Sequence, residues 1–82
     1  MKLVRYSRAA LTSLRRHANI APRIREALMD YAAGTGARAN QVKALRGGAG
    51  LRLRVGDFRV IFVETESGID VIEIGPRGKI YD

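Results

Sequence analysis

The 82-residue sequence has no cysteine, a single histidine, and eight acidic residues against fifteen Lys or Arg. Without cysteine there is neither a disulfide framework nor a thiolate metal site, and His17 alone cannot supply an imidazole-rich one. No metal or other cofactor is implied. No apolar run approaches the length of a membrane span, and charge interrupts "MKLVRYSRAALTSLRR" every few residues, which excludes a signal peptide. A soluble, cytoplasmic protein with no membrane partner is expected. Low-complexity tracts and internal repeats are also missing, and the 46% hydrophobic content suits a single globular domain over residues 1–82.

The shortage of acid is uneven. Residues 1–50 hold ten Lys or Arg against two acids, net +8, whereas residues 51–82 hold five against six, net −1. Such a surface attracts a polyanion through Coulomb steering and counterion release, or pairs with an acidic protein.

Apolar and basic residues alternate in "KLVRY" (2–6), which reads as a first strand, with Ser7 placed to cap a helix. Leu11, Leu14 and Ala18 then recur at helical spacing, predicting a short amphipathic helix from Arg8 to about Ala18. A second helix is predicted from Pro22 in its first turn, Ile24, Ala27, Leu28 and Tyr31 on one face, and Gly34 as a left-handed stop. The segment "TGARANQVKALRGGAG" reads as a linker in which Val42 and Leu45 peg the core. Three strands are expected at about 51–55, 58–64 and 69–75, separated by "GD" and "ESG" turns. The fold class is therefore α+β: an N-terminal strand, a helical hairpin and a three-stranded antiparallel meander, with the helices packed on one face of a single antiparallel sheet and the other face open.

Taking Gly56-Asp57 as a two-residue turn fixes a register: Val55 opposite Phe58, Arg54 opposite Arg59, Leu53 opposite Val60, Arg52 opposite Ile61, Leu51 opposite Phe62. Leu51, Leu53, Val55, Phe58, Val60 and Phe62 then share one face, and Arg52, Arg54 and Arg59 share the other. Like charges directly opposite one another are unfavourable, by an amount comparable to the roughly 0.2–1 kcal/mol of a good cross-strand pair. A sheet needing only solubility would set an acid opposite Arg54. A solvated basic face is the ordinary alternative to an anion site.

The C-terminal "IGPRGKIYD" adds Arg77, Lys79 and Tyr81 after Gly75-Pro76 closes the last strand. Guanidinium groups bind phosphate in bidentate fashion, and a tyrosine ring stacks on an unpaired base or offers a phenol for proton transfer. Folded beside the hairpin, this tail would complete a phosphate-and-base pocket; the plainer reading is a frayed tail covering a sheet edge. His17 reads as an exposed helix-end residue, Glu64 and Glu66 as solvated residues flanking a turn, and Glu73 as an ion-pair partner near Arg77.

Together, "VKALRGG", "LRLRVGDFRVIF" and "VIEIGPRGKIY" resemble the RelE/ParE superfamily of type II toxins, and within it the RelE-like ribosome-dependent mRNA endoribonucleases, over nearly the whole chain. The resemblance implies a toxin that cuts messenger RNA in the ribosomal A site, inhibits translation, and is neutralised by a cognate antitoxin in a toxin-antitoxin hetero-oligomer. It places Arg52, Arg54 and Arg59 on the scissile phosphate, Arg77 at the phosphate or leaving oxygen, and Tyr81 as a stacking residue or general base. Lys79 joins the RNA-binding set. The alternatives it leaves open are a ParE-like DNA gyrase poison and a catalytically decayed nucleic-acid- or antitoxin-binding module.

Overall fold

The computed structural model describes residues 1–45, 47, 48 and 50–78. Strand β1 (Leu3–Tyr6) leads into helices α1 (Arg8–Arg16) and α2 (Ala21–Ala32). A 3-10 turn (Ala39–Gln41) follows, then β2 (Val42–Ala44), β3 (Leu51–Val55), β4 (Phe58–Glu64) and β5 (Gly68–Pro76). The strands form one sheet in the order β1-β5-β4-β3-β2.

The sheet is mixed rather than antiparallel throughout, because β1 pairs in parallel with β5, Leu3 with Gly68 through Tyr6 with Val71. The two helices carry the chain from β1 at one edge of the sheet to β2 at the other, and the antiparallel run back through β3 and β4 sets β5 beside β1 in the same direction. The supposed linker also contains structure: Val42–Ala44 adds antiparallel to β3 as a fifth strand. Val42 does pack on the core, while Leu45 is half-buried outside it.

Helix α1 starts where Ser7 accepts the Ala10 N–H at 3.0 Å, as an N-cap should. The same hydroxyl donates to the Ile72 carbonyl at 2.6 Å, and the Ser13 hydroxyl donates to the Ile74 carbonyl. These two serines serve carbonyls of β5 beyond Val71, where β1 has ended and α1 takes its place along that edge. The buried side chains of α1 are Ala10 and Leu14; the helix ends at Arg16, so Ala18 lies beyond it and is exposed. Helix α2 buries Ile24, Ala27, Leu28 and Ala32, with Pro22 in its first turn, and Gly34 takes the left-handed conformation at φ 76°.

These helix residues close over Leu53, Val55, Val60, Phe62, Ile69, Val71 and Ile74 to form the core, with Leu51 and Phe58 packed at its margin. The six residues expected on one face of the β3–β4 hairpin are thus all turned to the helices. No helix among the described residues is long and apolar enough to cross a membrane.

Candidate nucleic-acid interface

The β3–β4 register is the one the turn dictates, including Arg54 opposite Arg59. Gly56 occupies the first central position at φ 58°, the conformation a type II′ hairpin asks of that residue. Since side chains alternate across a strand, Arg52, Arg54 and Arg59 all emerge on the face away from the helices. There they line one cleft of about 130 Å³ together with Asn40, Gln41 and Lys43.

Lys43, Asn40 and Gln41 escape the reading of this segment as a linker. Strand β2 puts Lys43 directly opposite Arg52, and the 3-10 turn that precedes it brings Asn40 and Gln41 to the same cleft. The signal was the apolar-basic-apolar alternation of "VKA", too short to stand out beside so many glycines. Four cations consequently face one cleft whose described lining holds no carboxylate.

Arg59 is the exception to the expectation of an open face, at only 8% exposure. It lies on β4 between β3 and β5, opposite Gly75, so its side chain has a neighbouring strand on either side and no side chain across from it on β5. One of its terminal nitrogens donates to the Phe58 carbonyl at 3.4 Å. Arg52 is half-buried and Arg54 exposed, so the cluster grades from a fixed base to an accessible rim.

Beyond β5, the Arg77 N–H donates to the Asp57 carbonyl at 2.6 Å, which brings the start of the tail against the hairpin turn. Arg77 follows Gly75 by two residues and is exposed, but it is not among the residues lining the cleft. Lys79 and Tyr81 lie outside the described residues. From the helical side, the Arg23 guanidinium reaches over Gly56, placing another cation at the same turn.

Three other candidates sit elsewhere. His17 is half-buried rather than exposed, its ring edge-on to Phe58 with centroids 4.9 Å apart, and Phe58 belongs to the helical face of the sheet. Glu64 is not simply solvated: it accepts from Lys2 at 2.9 Å and from the Tyr31 hydroxyl at 2.7 Å. Those hydrogen bonds, Lys2 first, hold its carboxyl below the usual range. Burial, followed by the bond to Glu64, pushes the Tyr31 phenol up to about 12. Glu73 is exposed opposite Ile61, while the ion pairs formed among the described residues are Lys2–Glu64, Arg5–Asp70 and Arg38–Asp30. Among the described residues there is no group of three or more His, Cys, Asp or Glu able to hold a metal ion.

The cleft is thus a concentration of hydrogen-bond donors with fixed positive charge, suited to a phosphate group. Its arginines cannot act as proton acceptors. No family model and no curated protein matches the chain. Solved structures do. It is 22% identical to a chain of the archaeal RelE-RelB complex from Pyrococcus horikoshii OT3, covering 96% of this chain and 98% of that one at a TM-score of 0.76. It is 19% identical to a chain of the RelB-RelE antitoxin-toxin complex from Methanococcus jannaschii, over 95% of both, at 0.69. It is also 22% identical to a chain of the toxin-antitoxin complex RelBE2 from Mycobacterium tuberculosis, over 93% of this chain and 98% of that one, at 0.64. Agreement of this extent gives the chain the RelE-like fold.

Proposed function

We propose that this protein is the toxin of a RelE/RelB-type system, a ribosome-dependent mRNA endoribonuclease that works in the cytoplasm and is held inactive by a cognate antitoxin. The observation that carries the reading is the cleft of Arg52, Arg54, Arg59 and Lys43, with no carboxylate in its described lining. Setting Arg54 against Arg59 costs stability that an acid at either position would recover. A retained anion site accounts for that cost.

In this reading the ribose 2′-oxygen attacks the adjacent phosphorus as the bond to the 5′-oxygen breaks. The 2′-hydroxyl loses its proton and the 5′-oxygen gains one. Arg52, Arg54 and Arg59 bind the phosphate and stabilise the charge that grows on its oxygens. Arg77 approaches from the hairpin turn toward the phosphate or leaving oxygen, and Lys79 extends the contact along the RNA. Tyr81 stacks on a base or takes the 2′-proton. The arginines are charge stabilisers only, and the ribosome supplies substrate alignment that so sparse a site lacks. The basic first half of the chain suits an acidic antitoxin segment, and complexes with RelB are the state of the similar structures.

Cleavage on programmed ribosomes tests this reading. Wild-type protein should cut mRNA in the A site, and Arg52→Ala, Arg59→Ala and Arg77→Ala should slow cutting by about 10²-fold or more while leaving the melting curve cooperative. Intact mRNA together with gyrase-dependent DNA breaks would replace it with the ParE-like reading. Neither activity, with antitoxin binding alone, would leave a binding module.

A further inference from the structure

The cleft contains more than cations, and this inference rests on the reading of it as an RNA site. Arg52, Arg54, Arg59 and Lys43 carry N–H donors and no acceptor, so they hold a phosphate but offer nothing to the hydrogen of a ribose hydroxyl. Among the described residues of the lining, the side-chain acceptors are the amide oxygens of Asn40 and Gln41. These two differ. The Gln41 oxygen accepts from an Arg38 terminal nitrogen at 3.4 Å, and Arg38 is anchored to Asp30 at 3.0 Å. With its oxygen engaged by Arg38, Gln41 enters the cleft as a donor through its NH₂. Asn40, exposed in the preceding turn, brings an acceptor to the rim.

The size of the cleft sets what can reach them. At about 130 Å³, with four cations and two amides in its described lining, it seats a phosphate group. The group next to a bound phosphate is then the ribose, and its 2′-hydroxyl is what separates RNA from DNA.

We infer that Asn40 is a specificity-determining residue, its amide oxygen accepting a hydrogen bond from the ribose 2′-hydroxyl next to the phosphate held by the arginines while the substrate is bound and before that proton leaves, and that Gln41 contributes a donor to the phosphate itself. The two amides then have separable consequences. Asn40 discriminates RNA from DNA, and Gln41 strengthens binding to both.

Fluorescence anisotropy at fixed low salt distinguishes them, using a labelled single-stranded RNA trinucleotide and its analogue with one 2′-deoxyribose at the central position. Wild-type protein should prefer the all-ribose form by roughly three- to tenfold, the value of one hydrogen bond. Asn40→Ala should abolish that preference by weakening the ribose form alone. Gln41→Ala should weaken both forms alike and keep the preference. Equal binding of both oligonucleotides by the wild type, or equal weakening of both by Asn40→Ala, would overturn the inference while leaving the arginine site standing. Failure of the wild type to bind either would overturn the RNA site and the inference with it. Asn40 is exposed, so an unchanged melting temperature confirms that its variant is folded.

Discussion

Replacing Arg54 by Glu should make the protein more stable and disable it. Arg54 is exposed, directly opposite Arg59 and lining the same cleft as Arg52 and Lys43, so the substitution disturbs neither core packing nor backbone. Removing a like-charge pair recovers about 0.2–1 kcal/mol, and the new opposite-charge pair adds a similar amount, giving a gain of about 0.4–2 kcal/mol. For a domain of this size, 1 kcal/mol moves Tm by roughly 4–8 °C. Differential scanning calorimetry at low salt should therefore show a higher Tm for Arg54→Glu than for wild type. The difference should shrink as salt rises and the screening length falls from about 10 Å at 0.1 M to about 3 Å at 1 M. Phosphate supplies the converse arm: at ten times its Kd it should stabilise the wild type by about 1.4 kcal/mol and the variant much less. An unchanged or lowered Tm at low salt, or equal phosphate shifts in both proteins, would refute the reasoning that the arginines are held together at a cost for the sake of an anion.

Further predictions follow from other residues. Ser7→Ala removes both the cap on α1 and the donor to the Ile72 carbonyl, and should cost about 1–2 kcal/mol in urea denaturation. Phe62→Ala, at a fully buried position between the helices and the sheet, should cost about 3–5 kcal/mol and abolish cooperative unfolding at physiological temperature if the domain has only ordinary stability. The raised Tyr31 phenol means that the unfolded chain ionises first, so stability is present below about pH 10 and is lost as pH rises toward 12; Tyr31→Phe should flatten that alkaline limb in pH-dependent melts. The lowered Glu64 carboxyl has the opposite sense, its contribution being present above the ordinary carboxylate range and lost as pH falls through the folded-state value, so Glu64→Gln should flatten part of the acid limb. In RNA binding, Arg52→Ala should reduce the slope of log K against log salt by about 0.7, the share of one phosphate contact on a single strand.

The parts of this fold that sequence reveals are those set by local geometry. Two residues, Gly56 and Asp57, close the hairpin, and that alone decides the partners of all three arginines and the inward set from Leu51 to Phe62. Ser7 and Gly34 likewise mark helix ends through their own chemistry. What stays hidden depends on pairings between distant segments. The parallel union of β1 with β5 joins Leu3 to Gly68 with no local signal, and β2 has three residues in a glycine-rich stretch. A further irregularity lies between Ile61 and Phe62, where β5 slips register so that Glu73 and Val71 face successive β4 residues. The intervening Ile72 is left 46% exposed, although its apolar character suggests core. Hence the three arginines of the candidate cleft were legible from "LRLRVGDFRV", whereas Lys43, Asn40 and Gln41 required the fifth strand and the turn before it. The depth of Arg59 required knowing that Gly75 lies across from it.

The central claim, that the cleft between β2, β3 and β4 holds the phosphate of an RNA strand, is tested most directly by NMR titration of the labelled protein with a short single-stranded RNA. The arginine side-chain Nε–H signals of Arg52, Arg54 and Arg59, the Lys43 backbone amide and the Asn40 and Gln41 side-chain amides should shift together along one saturable curve. Shifts confined to the outer faces of α1 and α2, with the arginine side-chain signals of the cleft unmoved at saturation, would contradict it.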